Sequence, residues 1–337
     1  MRFLISILLF STLAQAGDDL STRLSKVIEP QIEKRIKSTI VGVYVKGNVQ
    51  FLTYGNVRPD PDTIFEIGSL TKTFTSLIFA IAIEKGLVTP DTTLAELRPE
   101  WLGQATGNIR LIELATHRSG LSRLPCDLKI TNPANPYADY TEAQLIASIT
   151  DRVGCKFAAH PTQNVVYSNW GAALLGNAIS AASKLSYGEM LKLWITEPLG
   201  MKDTVIKLSP EQRLKLAQGY NEQLKPAGLW DRQGLLGNGA IMSSARDIML
   251  YVEAMLHPEK TSFPEAIKRV ETLQYVFIAY NWFVTSAGSI WHDGMTGGYS
   301  SLTKVYLKKD FAIFHLTNTE AEVKCFIEAV EEIPCQP

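Results

Sequence analysis

The hydrophobic pattern divides the chain into three stretches of different period. Residues 40–55 (IVGVYVKGNVQFLTYG) alternate: Val41, Val43 and Val45 lie on one face, Gly47-Asn48 turns, and Val49, Phe51 and Thr53 resume. That spacing predicts a β-hairpin. Ser69 to Lys85 predicts a helix ended by Gly86, with Leu77, Ile78, Ile81 and Ala82 on its apolar face. It is apolar nearly all round, which predicts burial. Residues 87–200 read as mostly helical with irregular joins, and the Pro/Asn-rich run 125–137 reads as a surface loop. Ser168 to Lys184 and Tyr187 to Ile195 predict further helices, the second stopped at Pro198-Leu199-Gly200. Ser243 to Leu256 predicts another, with Ser244 and Asp247 at near capping-box spacing.

Beyond that helix the period changes to two. Tyr275 to Ser286, Ser289 to Gly294, Ser301 to Leu307 and Phe311 to Thr317 read as strands separated by turn residues, and a closing helix is expected over 320–331. The order is strands, a helical middle, then an antiparallel sheet and helix. It predicts an α/β (α+β) fold, with an antiparallel sheet flanked by helices and an inserted, mainly helical lobe. We divide the chain into one catalytic domain, residues 17–337. Residues 17–65 and 235–337 form its body and 66–234 its lobe, with a cleft between them. No repeat and no low-complexity linker interrupts the chain.

Its 337 residues carry a net charge of −1, with no basic tail and no acidic block. Nothing in that balance points to nucleic acid or an anionic membrane as partner. Residues 1–16 read as a signal peptide: Arg2, an apolar run from Phe3 to Leu13, and Ala14-Gln15-Ala16 as cleavage site. The expectation is an exported protein, periplasmic where the cell has an outer membrane and otherwise secreted. No integral membrane segment is expected after cleavage. Export makes Cys126, Cys155, Cys325 and Cys335 candidates for two disulfides. Of three pairings, Cys126–Cys155 and Cys325–Cys335 close local loops and are favoured. On the chain-entropy account each would contribute about 3–4 kcal/mol.

Three short segments carry the chemistry. They are Ser69-Leu70-Thr71-Lys72 (S-x-x-K), Tyr167-Ser168-Asn169 (Y-x-N) and His292-Asp293-Gly294 (H-x-G). Each alone is cheap. Ser301-Leu302-Thr303-Lys304 is a second S-x-x-K and Tyr54-Gly55-Asn56 a second Y-x-N. Context separates the copies. In a helix, residues three apart share a face; in a strand they point to opposite faces. Only the Ser69 copy lets lysine and hydroxyl converge.

Taken together and in this order, the segments resemble the superfamily of class C β-lactamases and serine DD-peptidases (penicillin-binding proteins), with their related esterases and D-aminopeptidases. Further stretches share the resemblance: Ile64 to Ser69, Leu114 to Leu121 (LATHRSGL), Leu174-Leu175-Gly176, Pro198 to Met201, Gly237 to Ser244, and His292 to Gly298 (HDGMTGG). It covers roughly residues 20–320 and implies a β-lactamase/transpeptidase-like fold.

In that frame Ser69 is the expected nucleophile, at a helix N-terminus that favours developing negative charge. Lys72 is the nearest base. A lysine held neutral at pH 7 costs about 4–5 kcal/mol unless burial or a nearby cation lowers its pKa. Alternatively, a charged Lys72 holds Tyr167 as a phenolate-like base. Tyr167 is the expected proton relay to the leaving group. Asn169 is expected to bond Lys72 and the substrate amide. His292 stands where many relatives carry lysine. It would supply charge or a donor to Tyr167, with pH dependence near ~6.5. Gly294 is expected to let the substrate backbone lie against its strand. The backbone N–H groups of Ser69 and Met295 would form the oxyanion hole. Asp293 departs from the family, which often has threonine there. A carboxylate aimed into the cleft would repel one on the ligand.

No metal or other cofactor is expected. The five histidines show no ligand spacing, and Thr296-Gly297-Gly298 lacks the G-K-[ST] of a phosphate loop. The resemblance implies peptidoglycan peptides or β-lactams as substrates. The leading expectation is DD-carboxypeptidase or endopeptidase action at D-Ala bonds through a Ser69 acyl-enzyme. The alternatives are a class C-like β-lactamase, an esterase or D-aminopeptidase, and an inactive peptidoglycan-binding relative.

Overall fold

The computed structural model describes residues 19–150 and 164–335. The expected signal peptide and Cys155 therefore lie outside the described residues. So does the Cys126–Cys155 pairing.

Among the described residues ten strands occur in chain order: β1 Ser38–Val45, β2 Asn48–Gly55, β3 Ile64–Glu66, β4 Gly219–Tyr220, β5 Pro226–Ala227, β6 Met242–Ser244, β7 Phe283–Val284, β8 Ile290–Met295, β9 Ser300–Tyr306 and β10 Phe311–Thr317. Six form one antiparallel sheet in the order β2-β1-β10-β9-β8-β7. The mixed architecture and the helix-flanked antiparallel sheet match the expectation. β3 pairs with β6, and β4 with β5. Between β3 and β6 the regular elements of the described residues, apart from β4 and β5, are helices.

Both faces of the central sheet are covered. On one face Ile40, Tyr44, Phe314 and Leu316 join the main core, with Phe74, Phe79, Tyr251 and Trp282. On the other, Val41, Val43, Ile313 and Tyr306 meet Leu20, Leu24, Ile28 and Phe326. The first three of these come from a helix over residues 19–28, which the sequence reading did not anticipate. Double coverage explains why β1 is buried almost throughout rather than alternating.

Four boundaries differ from expectation. The first hairpin turns at Lys46-Gly47, one residue early, because both take positive φ (46° and 85°) as a two-residue hairpin turn requires. Within Tyr275–Ser286 only β7 is a strand, since Val276 and Asn281 adopt left-handed φ (45° and 54°). The closing helix is only Phe326–Glu331, preceded by Cys325 at φ 59°. The helix expected from Ser243 starts at Ala245, because Ser243 and Ser244 belong to β6 and Ser244 caps the helix by accepting from Asp247 N–H. Cys325 and Cys335 are brought together with Cα atoms 5.2 Å apart, within disulfide span.

The helix at the heart of the main core is Thr71–Glu84, buried from Thr71 through Ala82. Its Phe74 stacks on Tyr251 at 4.0 Å between ring centroids. Phe74→Ala should destabilise the fold by about 3–5 kcal/mol, through lost burial and an unfilled cavity. The measurement is the urea unfolding midpoint; an unchanged midpoint would contradict this packing.

Candidate active site

The nucleophile turn is set by two glycines. β3 runs into a 3₁₀ turn, Gly68–Leu70, and then the Thr71–Glu84 helix, so Ser69 sits one turn ahead of the helix proper. Gly68 has φ 52°, and a Cβ there would lie 2.5 Å from the Met295 amide nitrogen. A Cβ on Gly294 would strike the Ile67 carbonyl and lie 2.9 Å from the Ser69 amide nitrogen. The side of Gly294 where a Cβ would point is thus filled by the turn that carries Ser69. The same close approach brings the Ser69 and Met295 amides to one place, as an oxyanion pair requires. Ser301 Oγ, from the paired position on β9, donates to Ile67 O at 2.9 Å and fixes the turn from below.

Lys72, one helical turn on, is wholly buried. Its Nζ lies 2.9 Å from Ser69 Oγ and 2.6 Å from the Asn238 carbonyl oxygen. Burial first, and then the charges of Arg232 and Arg123, push its pKa well below the usual lysine range; Asp293 opposes them. Lys72 Nζ is 4.9 Å from the Tyr167 ring centroid. Burial raises the phenol above its ordinary value, despite Ser69 and the two arginines. A low lysine and a high tyrosine favour amine plus phenol over ammonium plus phenolate.

Tyr167 is held by its neighbours in the chain. Ser168 Oγ caps the Asn169–Ser183 helix by accepting from Gly171 N–H (2.9 Å), and donates to Ser122 O (2.7 Å). Asn169 opens that helix, nearly buried, with Oδ1 unpartnered among the described residues. The expected Asn169–Lys72 bond is not made there; the Asn238 carbonyl takes its place. That leaves the Asn169 carbonyl oxygen free.

His292 also departs from expectation. It is wholly buried, its Nδ1 meets Asp293 O at 2.5 Å, and its Nε2 has no partner among the described residues. Burial, then the charge of Lys72, lowers its pKa to about 3. It is neutral at physiological pH and supplies no positive charge. Asp293 beside it is exposed, 54% for the side chain. β7 pairs only with Ile290 and Trp291, leaving the outer edge of residues 292–295 unpaired among the described strands. An extended substrate can add to such an edge.

The Beta-lactamase family model matches residues 23–333. The chain belongs to the β-lactamase family of serine hydrolases. It is 29% identical over 282 residues to a β-lactamase of Providencia stuartii, covering 80% of this chain and 68% of that one. It is 30% identical over 245 residues to the D-alanyl-D-alanine-carboxypeptidase/endopeptidase AmpH of Escherichia coli K12, covering 69% of this chain and 61% of that one. Penicillin-binding protein 4* of Bacillus subtilis is 24% identical over 302 residues, 81% of this chain and 65% of its own. In fold, a class C β-lactamase of Rhodobacter sphaeroides superposes with TM-score 0.79 at 20% identity, over 93% of this chain and 99% of that one.

This β-lactamase-family site contains groups the sequence reading missed. Arg232 is buried over the Tyr137 and Trp230 rings (4.7 and 5.0 Å), and its Nη1 donates to Asn238 Oδ1 at 2.6 Å. Arg123 lies with its guanidinium carbon 5.2 Å from the Tyr167 ring centroid. Neither belongs to a motif. Asn238 lies inside the recognised Gly237–Ser244 stretch, but acts through its backbone carbonyl, which no residue type signals.

Gly294→Ala should slow Ser69 acylation at least about 10²-fold, because the turn must retreat from β8 and the oxyanion amides separate. Stopped-flow acylation with a chromogenic β-lactam or ester measures it. A variant acylating at the wild-type rate would refute the close approach.

Proposed function

We propose that this chain is an acyl-transfer hydrolase in which Ser69 is the nucleophile and Lys72 its base. Its substrates are peptidoglycan peptides, cleaved at a D-Ala bond as a DD-carboxypeptidase or endopeptidase. The observation that carries the reading is a fully buried Lys72 amine 2.9 Å from Ser69 Oγ, with its pKa pushed far down. A base near its operating pH is what a serine hydroxyl needs. Similarity to the D-alanyl-D-alanine-carboxypeptidase/endopeptidase AmpH supports the substrate class.

In acylation the Ser69 proton passes to Lys72 Nζ as Oγ bonds to the carbonyl carbon. The Ser69 and Met295 amides take the oxyanion. The C–N bond then breaks, its electron pair staying on nitrogen, and Tyr167 gives its proton to that nitrogen and recovers one from Lys72. Water, relieved of a proton by the same pair, releases the acyl group. Asn169 Oδ1 is free to accept from the substrate amide. We place the work in a single catalytic domain over 17–337, exported behind a signal peptide of residues 1–16. The compartment is then the periplasm or the medium. Among the described residues no helix is long and apolar enough to cross a membrane.

The first test is intact mass over time with benzylpenicillin. A stable adduct on wild type, absent from Ser69→Ala, supports a penicillin-acylated peptidase. Hydrolysed penicillin without an adduct indicates a β-lactamase; intact penicillin without one favours the esterase, D-aminopeptidase or inactive readings. Ser69→Ala and Lys72→Ala should each lower acylation by at least about 10³-fold.

The pH profile is a second test. The base form of Lys72 is the active one, so kcat/KM should rise with pH through a limb well below the ordinary lysine value. Because His292 is held near 3, no second limb belongs between pH 6 and 7. A limb there that disappears in His292→Gln would overturn the neutral-histidine assignment.

A further inference from the structure

We propose that Arg123 recognises the carboxylate of the leaving group. The inference deepens the acyl-transfer reading above and rests on it.

Chemistry fixes where that carboxylate must lie. Tyr167 protonates the departing nitrogen. In a C-terminal amino acid the carboxylate carbon is about 2.5 Å from that nitrogen, across the Cα. A group that binds the anion therefore has to stand beside Tyr167, in reach of solvent, with a charge not already committed.

The candidates can be taken in turn. On the sheet side His292 is buried and neutral, and Asp293 is an acid. Lys72 is buried against Ser69 and the Asn238 carbonyl. Arg232 is buried and donates to the Asn238 side chain. Arg123 meets all the requirements. It is exposed, its guanidinium lies 5.2 Å from the Tyr167 ring centroid, and it makes no ion pair among the described residues. Its charge acts on Lys72, Tyr167 and Asp293 alike.

Its position is built rather than accidental. The Arg123 carbonyl accepts from the Asn169 and Trp170 amides (2.9 and 3.3 Å), the first of the Asn169–Ser183 helix. Ser168 Oγ donates to the carbonyl of Ser122 next to it. The loop bearing Arg123 is thus tied to residues 168–170, directly after Tyr167. Contact with the Tyr167 ring further orients the guanidinium, whose planar fork suits a carboxylate.

Two esters with the same N-acyl-D-alanyl group test the proposal, one leaving as D-lactate and the other as D-lactamide. Wild type should favour the lactate ester in kcat/KM by about tenfold or more. Arg123→Ala should bring the ratio to about one, and Arg123→Lys should leave it between. The ratio is the readout because Arg123 also acts on Lys72, which changes both rates together. A wild-type ratio near one, or a ratio unchanged in Arg123→Ala, overturns the proposal while Ser69 acylation by the lactamide ester keeps the acyl-transfer reading. If neither ester acylates Ser69 on wild type, both fall.

Discussion

The site depends on one unfavourable burial, that of the Lys72 amine beside Ser69. Charging a lysine there means removing an ammonium from water, with two arginines nearby opposing it. What keeps the side chain in place is the fold around it. The Thr71–Glu84 helix is buried along nearly its whole length, so Lys72 has no route to solvent. The Asn238 carbonyl gives its nitrogen a second partner. Strain of this kind persists when the surrounding structure over-determines it, and it is the usual cost of a functional group tuned to its task.

Charge is distributed unevenly across the cleft. Arg123 and Arg232 come from the segment between β3 and β6. The sheet side offers a neutral histidine and an acid. The arginines lower the energy of a proton-poor Lys72. Glu66 sets the geometry on the sheet side. It accepts from Trp230 N–H (2.9 Å) and Thr296 Oγ1 (2.7 Å), tying the entry to the nucleophile turn to the turn after β8. With burial already raising the Glu66 carboxyl, those two donors offset part of the penalty. Glu66 thus ties the entry to the turn carrying Ser69 to the end of β8, where Met295 lies.

Period and spacing made much of this legible. The hairpin, the buried helix, the three C-terminal strands and the convergence of Ser69 with Lys72 all follow from positions three, four or two apart. What escaped was set by tertiary contact. The 19–28 helix covers the far face of the sheet, yet its apolar positions do not show that a second layer was needed. Val276 and Asn281 look strand-compatible until their φ values are known. Gly294 was read as space for a ligand because a glycine on a strand edge does not reveal what fills the space. His292 was assigned an ordinary pKa because full burial is not a property of its neighbours in sequence.

The two copies of Ser-Leu-Thr-Lys show how much of the chemistry lies in the element rather than the letters. On the helical turn, Ser69 and Lys72 meet at 2.9 Å. On β9 the same tetrapeptide sends its ends to opposite faces of the sheet. Ser301 turns inward and donates to Ile67 O, while Lys304 pairs with Glu331 of the closing helix. The second copy has no nucleophile–base pair, yet it braces the first, since Ile67 opens the turn that carries Ser69. Its lysine also binds the outer helix to the same strand. One tetrapeptide therefore brings a serine and a lysine together in one backbone geometry and braces that pair in another.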